Sequence, residues 1–318
     1  MKKINSILLA AITIMSFSCD DIIEEDIAND TIQTVAPNEG ATIDGNTVQF
    51  VWQALDGADD YRLQVINSNQ ALVVDSLTTA TSLDIVLNPG SYQWRVKGEN
   101  FAYTTQYTFP INFDVEASND LTNQNVQLLT PSDDLYTNDP NSIILTWSSI
   151  ISADSYTLDI VKINGGEQTV LQEPDITTTN YSPSSTVFDE DAEYIWRVKA
   201  VNATSQTNFS ERSIFIDRVS PNQPSLTLPN DMEEFTDFTV NFNWTNGADT
   251  GDLQSAITNT FEVSSDINFG TLVDSEDLQN NSYQYTFETT GTYYWRVRAY
   301  DSAGNVGDYS IVRSFIIQ

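Results

Sequence analysis

Histidine is absent from this chain of 318 residues, and cysteine occurs once. Without histidine the chain cannot build a Ser-His-Asp or Cys-His catalytic arrangement or a His-ligated zinc site. A single cysteine excludes an internal disulfide framework and a thiolate metal cluster. Basic residues are also scarce, because 13 Lys and Arg stand against 45 Asp and Glu, for a formal net charge of −32. A nucleic-acid backbone and an anionic bilayer surface both repel such a chain, so we expect no nucleic-acid partner.

The remaining composition is that of a folded protein. Hydrophobic residues make up 40% of the chain and aromatic residues 11%, which is typical of globular domains rather than of a disordered acidic tail. This length predicts two or three domains. A glycosidase needs only two carboxylates, so the lack of histidine does not exclude one by itself. However, no acidic pair stands where a cleft is indicated, and we therefore predict no enzyme, no catalytic residue and no cofactor.

The first 18 residues have the features of a signal peptide. Two lysines follow the initiator methionine, and an apolar run from Ile7 to Met15 is too short to span a bilayer. The run is followed by Ser18 and by Cys19, the only cysteine. This resembles a bacterial lipoprotein signal, which implies that Cys19 carries the lipid and begins the mature chain. Ser16 departs from the aliphatic residue usual in that pattern, and the alternative is an ordinary secretory signal with an incidental cysteine.

Residues 19–32 form an acidic stretch that begins at this cysteine. It resembles the surface-export signal of lipoproteins from Bacteroidota, which implies a lipid-anchored, surface-exposed protein of the outer membrane. The alternative is a solvated tether that its own charges keep extended, and both can hold at once. The crowded acids are Asp20, Asp21, Glu24, Glu25 and Asp26.

The tryptophans reveal an internal repeat. Three pairs are separated by 95 and 97 residues between first members and by 102 and 99 between second members. A period near 100 residues is the size of a domain and not of a solenoid turn. We therefore predict domains over 33–117, 126–219 and 220–318. The pairs are Trp52 and Trp94, Trp147 and Trp196, and Trp244 and Trp295.

Each copy contains the same series of alternating strands. A turn of proline, polar residue and acid is followed by a strand that ends at the first tryptophan, and later by the block YxWRV[K/R]. Alternation places the tryptophans on inward positions, so we interpret all six as core residues. The chain lacks a convincing helical period. About seven short strands in about 95 residues predict an all-β fold of three tandem two-sheet sandwiches.

The pattern W…YxLxV…LNPGSYQWRVK in residues 52–97 resembles a fibronectin type III domain. The resemblance implies that the tyrosines opening the YxWRV blocks are structural corner residues, whose hydroxyls bind the preceding loop. The third copy resembles versions from secreted bacterial proteins, with a six-residue insertion around Asp249 to Ala256. This fold has many functions, so the resemblance does not identify one. The corner tyrosines are Tyr92, Tyr194 and Tyr293.

Six cations lie in the YxWRV blocks. They could hold an anionic ligand, but alternation places them on the outer face of a sheet. There they can pair with Asp159 in the second copy and Glu262 in the third, so we predict a structural role. Tyr107, Phe209 and Tyr309 recur at one repeat position and are also assigned to the fold. The cations are Arg95, Lys97, Arg197, Lys199, Arg296 and Arg298.

Phe101 and Tyr103 are the candidate ligand-binding residues, because they follow the YQWRVK strand and have no counterpart in the other copies. They could stack on a sugar ring or on a protein partner, or the loop could pack on its own chain. Three acidic clusters could supply oxygen ligands for calcium, but none has the DxDxDG spacing. We interpret them as solvated turns and predict no metal site. The clusters are Asp56, Asp59 and Asp60; Asp189, Glu190 and Asp191; and Asp249 with Asp252.

Together these features predict a non-catalytic, lipid-anchored surface protein that serves adhesion, protein interaction or spacing. Its expected contacts are the membrane, through the lipid, and an unknown protein or glycan, and we expect a monomer. The alternative is an accessory glycan-binding lipoprotein of a polysaccharide-uptake system. The predicted linkers are residues 117–125 and 220–223, and two prolines near the second predict the stiffer join.

Overall fold

The computed structural model describes residues 24–318 and divides them into two compact units. The first unit contains the described residues up to Thr42 together with 48–85 and 90–114, and the second contains 43–47, 86–89 and 115–318. Cys19 and the predicted signal peptide over 1–18 lie outside the described residues. Within 24–318, no helix has the length and apolar character needed to cross a membrane.

The first sandwich has eight strands in two sheets. Three strands form one sheet in the order β1-β3-β6, and five form the other in the order β2-β8-β7-β4-β5. The strands are β1 Thr34–Ala36, β2 Ala41–Asp44, β3 Thr47–Trp52, β4 Asp60–Asn67, β5 Leu72–Thr78, β6 Ser82–Val86, β7 Gly90–Glu99 and β8 Ile111–Glu116.

The second sandwich repeats this arrangement, with sheets in the orders β14-β11-β9 and β10-β16-β15-β12-β13. Two short 3-10 helices, Pro140–Ser142 and Ser185–Val187, lie in its loops. Its strands are β9 Leu128–Thr130, β10 Leu135–Thr137, β11 Leu145–Trp147, β12 Ser155–Ile163, β13 Glu167–Ile176, β14 Asn180–Tyr181, β15 Ala192–Val201 and β16 Ser210–Ile216.

The third sandwich has sheets in the orders β17-β19-β22 and β18-β24-β23-β20-β21. The three copies therefore share one strand order, and the predicted all-β fold of three fibronectin type III-like sandwiches is confirmed. The strands are β17 Ser225–Leu228, β18 Glu233–Phe235, β19 Thr239–Thr245, β20 Ile257–Ser264, β21 Leu272–Leu278, β22 Ser282–Thr286, β23 Gly291–Asp301 and β24 Arg313–Ile317.

Each sandwich has eight strands and not seven, because its first strand is divided at the repeated proline turn. Pro37, Pro131 and Pro229 lie between the two parts, which pair with different sheets. Proline has no N–H to donate to a strand partner, so the pairing on the first sheet stops there. The second part then joins the other sheet, in parallel with the last strand in the second and third copies.

Inward positions of the strands form the cores. Burial alternates with exposure along β3, β7, β15 and β23, as the sequence alternation predicts. All six tryptophans are buried, with exposed fractions from 0 to 2%. The hydroxyls of Tyr194 and Tyr293 donate to the carbonyl oxygens of Glu190 and Thr289, each four residues upstream, at 3.1 and 2.9 Å. Tyr92 stacks on Phe113 at 5.7 Å between ring centroids.

Part of the predicted tether belongs to the packed structure of the first unit. Ile27 is fully buried and Ile32 is 6% exposed. The side-chain amide of Asn100 donates to the backbone oxygen of Glu25 at 2.9 Å. The acidic composition of this stretch did not indicate that packing. The apolar positions Ile27 and Ile32 explain it, because their burial removes two large side chains from water.

Candidate functional site

Five of the six cations of the YxWRV blocks have polar partners within their own sandwiches, while the Nε atom of Arg298 is buried without a hydrogen-bond partner among the described residues. Arg197 lies 3.4 Å from Asp159, and Arg296 lies 2.7 Å from Glu262, which are the two predicted pairs. Arg95 donates to the amide oxygen of Gln64 at 2.7 Å. These contacts favour the structural interpretation, because guanidinium groups held in place by the fold are poorly available to an anionic ligand.

The repeated aromatic residue covers the cations of each copy. The guanidinium carbon lies 4.4 Å from the Tyr107 ring centroid in the first sandwich, 4.9 Å from Phe209 in the second and 3.7 Å from Tyr309 in the third. Cation–π contacts at such distances are stabilising. Burial raises the pKa of Tyr107 and of Tyr309, which keeps both phenols neutral over the ordinary pH range. These aromatic residues thus serve the fold.

The segment between β7 and β8 carries the candidate aromatic residues. Phe101 is 95% exposed, so its ring does not pack on its own sandwich, whereas Tyr103 is 37% exposed and is covered over most of its surface. Asn100 holds the tip of the loop, because its side-chain oxygen accepts from the backbone N–H groups of Ala102 and Tyr103 at 3.1 and 2.7 Å. A tight Asx-type turn of this kind presents its tip residues to solvent.

The second sandwich has the same turn without the aromatic residues. There the side-chain oxygen of Asn202 accepts from the backbone N–H groups of Thr204 and Ser205 at 3.0 and 2.8 Å. The residue after the asparagine is Ala203, where the first sandwich has Phe101. The turn therefore forms without a large ring, so the fold does not require one at position 101.

Sequence reasoning missed a third exposed ring, that of Phe109, which is 93% exposed. Phe109 lies two residues after Tyr107, and the matching positions of the other copies are Glu211 and Ile311. The same comparison of copies that identified Phe101 would have found it. Phe109 and Ile32 lie on a shallow groove, whose other lining residues are Thr31, Thr34, Gln106, Tyr107, Thr108 and Ile111.

The surface around these rings is negative. Residues 33–117 contain three basic residues against ten acidic ones. Arg62 binds Asp75 and Glu99 at 3.2 and 2.9 Å, and Lys97 binds Glu99 at 2.9 Å. The hydrogen bond from Lys97 holds the pKa of the Glu99 carboxyl below its ordinary value. The groove and the loop can therefore accept an apolar group, or one that carries a positive charge, more readily than an anionic group.

The three acidic clusters differ in their surroundings. Asp56 and Asp59 are exposed, as the interpretation as a solvated turn requires. In the second cluster, Lys162 donates to Asp189 and Glu190 at 3.2 and 3.0 Å. Arg218 donates to Asp191 at 2.5 Å.

The third acidic cluster is not a solvated turn, because Asp249 is only 8% exposed while Asp252 is exposed. Asp249 lies beside Asp217 and Asp301, which sequence spacing alone did not bring together. Burial raises the pKa of Asp217, against a hydrogen bond from the Val219 N–H, and the charges of Asp301 and Asp249 raise it further. These three carboxylates are the only group of three acids among residues 24–318 with ligand atoms close enough to hold a metal ion.

Comparisons with known proteins return likenesses in structure alone. No family model matches the chain, and no curated protein matches it. The first three fibronectin domains of chicken CNTN1 share 14% identity over 91% of this chain and 98% of that one, with a TM-score of 0.45. The fibronectin(III)-like modules of Clostridium thermocellum CbhA share 11% over 59% and 94%, with a TM-score of 0.23. A two-domain fibronectin type III segment of chicken tenascin shares 14% over 58% and 97%, with a TM-score of 0.23.

Proposed function

We propose that this chain is a non-catalytic, lipid-anchored surface protein that binds a protein partner through the segment between β7 and β8. The exposure of Phe101 and Phe109 carries this proposal. Two phenylalanines that are 95% and 93% exposed on one short segment contribute almost nothing to folding. When a partner covers them, each can contribute about 1.5–3 kcal/mol, which is the size of an interface hot spot.

The chemistry of the segment favours a protein over a glycan. Phenylalanine offers a ring without a polar group, and the groove beside Phe109 also contains Ile32 and Ile111. The groove also has hydrogen-bonding side chains of the kind that a sugar needs, such as those of Thr34 and Gln106, so the preference for a protein rests on the two exposed phenylalanine rings. An apolar partner side chain needs only the rings and the groove. The negative surroundings add a preference for a partner that is neutral or basic at this surface.

A binding experiment tests the partner class. Surface proteins are prepared from cells that share the habitat of the source organism. They are captured on the purified full chain, on its Phe101→Ala and Phe109→Ala variants, and on an Ile311→Ala control. Ile311 occupies the position of Phe109 in the third sandwich and is 65% exposed. We expect one captured protein to be lost with either phenylalanine variant and kept with the control. Equal capture by all four chains would contradict the proposal.

A glycan array on the same proteins tests the alternative of an accessory glycan-binding lipoprotein. Glycan binding that is lost in a Phe101→Ala/Tyr103→Ala variant would replace the protein-binding proposal. Absence of glycan binding by the unaltered chain would eliminate the alternative.

The anchoring part of the proposal depends on Cys19 and on the apolar run before it. Labelled palmitate should enter the unaltered chain and not a Cys19→Ala variant. Several acyl chains on one residue would hold the protein firmly, since each buried methylene contributes about 0.8 kcal/mol. Surface display predicts that protease added to intact cells digests the chain. An unlabelled, released chain would contradict the anchor, and a chain digested only after the outer membrane is opened would place the protein on the periplasmic side.

A further inference from the structure

Three buried aspartates meet at one end of the third sandwich, within the second compact unit. Asp217 follows β16, Asp249 lies between β19 and β20, and Asp301 ends β23. Their exposed fractions are 1, 8 and 3%. One carboxylate oxygen from each lies within 4.8 Å of the others. Three segments that are distant in sequence thus deliver three acids to one buried place.

The other two sandwiches show what usually occupies this place. Each has an asparagine six residues after its second tryptophan, and this asparagine links the segment before the sandwich to the loop after its third strand. In the first sandwich the Asn100 amide donates to the backbone oxygens of Glu25 and Gly57 at 2.9 and 2.8 Å. In the second, the Asn202 amide donates to Asn119 and Ser152 at 2.9 and 3.1 Å.

The third sandwich has carboxylates at all three of these positions. Asp301 stands six residues after its second tryptophan, as Asn100 and Asn202 do in theirs. Asp249 stands five residues after its first tryptophan, as Gly57 and Ser152 do. The backbone oxygen of Asp217 accepts from a side-chain amide, as Glu25 and Asn119 do, but the donor is Asn305 at 2.9 Å. A carboxylate has no N–H to donate, so Asp301 cannot make the two bonds that its counterparts make.

Two of the carboxylate oxygens have no hydrogen-bond partner. The Oδ2 atom of Asp217 and the Oδ1 atom of Asp249 are both inaccessible to water and unpaired. The second oxygen of each accepts a backbone N–H, from Val219 at 3.0 Å and from Ser255 at 2.7 Å. Neither Asp217, Asp249 nor Asp301 takes part in any ion pair found among residues 24–318.

Buried carboxylates without a compensating charge are unfavourable, and mutual repulsion adds to the cost. The nearest basic residue in sequence, Arg218, is already bound to Asp191 and to the backbone oxygen of Phe188. Asp301 is held toward the cluster by Asn305, whose backbone N–H and side-chain amide donate to its two oxygens at 2.8 and 2.9 Å. The arrangement therefore needs a cation that the described side chains do not supply.

We propose that Asp217, Asp249 and Asp301 bind one calcium ion. The donors are all oxygen atoms, which hard divalent cations prefer, whereas zinc and copper prefer nitrogen or sulfur. The three carboxylate oxygens lie within 4.8 Å of one another, close enough to share one ion. Calcium accepts six to eight oxygen ligands in a flexible geometry, whereas magnesium needs a near-ideal octahedron and keeps several of its waters, so a buried set of protein oxygens favours calcium. This differs from the sequence prediction of no metal site.

The ion would secure the join between the second and third sandwiches. Asn138, directly after β10, donates its side-chain amide to the Asn305 side-chain oxygen at 3.1 Å, and its backbone N–H to the Ala303 backbone oxygen at 3.1 Å. The loop that carries Asp249 is bound to the same region, because the Ser302 N–H donates to the Ser255 hydroxyl at 2.9 Å. One ion at the three carboxylates would thus connect the incoming segment, the inserted loop and the loop after β23.

Calorimetric titration of the full chain with calcium chloride, in detergent and after treatment with chelator, tests the proposal. We expect one site per chain with an affinity in the range of about 0.1–1 mM or tighter, and a weaker response to magnesium chloride. Asp301→Asn and Asp217→Asn should each weaken binding by more than about tenfold. Asp252→Asn removes a charge from the same loop at an exposed position and should bind as the unaltered chain does.

Asp301→Asn also serves as the folding control. The substitution places asparagine at the position where the first two sandwiches have Asn100 and Asn202. Because those sandwiches fold with asparagine there, the variant should keep the near-ultraviolet circular dichroism of the folded chain without calcium. Calcium should slow proteolysis within residues 249–256 in the unaltered chain and in Asp252→Asn, and should have no effect in Asp301→Asn. Absence of a site in the unaltered chain, or equal binding by folded Asp301→Asn, would overturn the proposal.

Discussion

Replacement of Arg296 by methionine tests whether the cations of the YxWRV blocks stabilise their own sandwiches. The Arg296 guanidinium lies 2.7 Å from Glu262 and between two rings, with centroids 3.7 Å away at Tyr309 and 3.9 Å away at Phe269. Methionine keeps the aliphatic stem and removes the charge. Glu262 has a side chain only 12% exposed and would retain the Tyr309 hydroxyl, at 2.8 Å, as its donor.

The expected cost follows from what remains after the substitution. Removing one partner of a fully buried pair costs about 3–5 kcal/mol, because the other charge stays buried. Arg296 has a side chain that is 25% exposed, so we expect the lower end, about 3 kcal/mol. Arg95 provides a matched control, because its partner Gln64 is neutral. Arg95→Met leaves an uncharged amide oxygen and should cost about 1 kcal/mol.

Hydrogen exchange followed by mass spectrometry measures both effects in the intact chain. It reports each sandwich separately, which matters because three domains need not unfold together. Amides of β20 and β23 should exchange about 150-fold faster in Arg296→Met, and amides of β4 and β7 about fivefold faster in Arg95→Met. Equal acceleration in the two variants, or acceleration of less than about tenfold in Arg296→Met, would contradict a stabilising role for the Arg296–Glu262 pair. Unchanged exchange rates in both variants would favour the other interpretation of these cations, that they hold an anionic ligand.

Three other substitutions have defined outcomes. Burial, and then the hydrogen bond to Asp274, raise the pKa of Tyr283 to about 12. The neutral phenol therefore stabilises the folded chain below about pH 10, and this contribution is lost as the pH rises from there toward 12. In urea titrations at several pH values, Tyr283→Phe should flatten this part of the plot of unfolding free energy against pH. Asn202→Asp should speed exchange in β15 about tenfold or more by removing two amide hydrogen bonds, and calcium should not reverse it because the partner residues are Asn119 and Ser152. Phe109→Ala should change the unfolding free energy by less than about 0.5 kcal/mol in urea titrations, since the ring is exposed; a larger loss would show that the ring packs.

Repetition made most of the fold predictable. A motif that occurs three times in the same order separates positions required by the fold from positions particular to one copy. This reasoning identified the inward tryptophans, the outward cations and their pairs with Asp159 and Glu262. It also isolated Phe101 as a residue without counterpart. Applied to the position two residues after Tyr107, the same comparison would have identified Phe109.

Other features were not predictable because they depend on contacts between distant residues. Asp249 carries no local sign of burial, and its environment is set by Asp217 and Asp301, which lie 32 residues before and 52 residues after it. The buried position of Ile27 depends likewise on the loop around Asn100, far along the chain. Composition alone described both regions as acidic and solvated. Local spacing cannot reveal which acids meet.

The copies diverge most where a function is proposed, and one repeat position explains why. Asn100 and Asn202 hold the turn after their strand with the side-chain oxygen, so the tip residues can vary without loss of the turn. This freedom permits Phe101 in the first sandwich. Asp301 keeps the acceptor role, toward the Asn305 N–H at 2.8 Å, but has an oxygen where the others have an amide nitrogen. In the first two sandwiches the asparagine amide donates to two neutral backbone oxygens. In the third, aspartate replaces this donor with a carboxylate beside two others, and the three negative charges create the requirement for a cation.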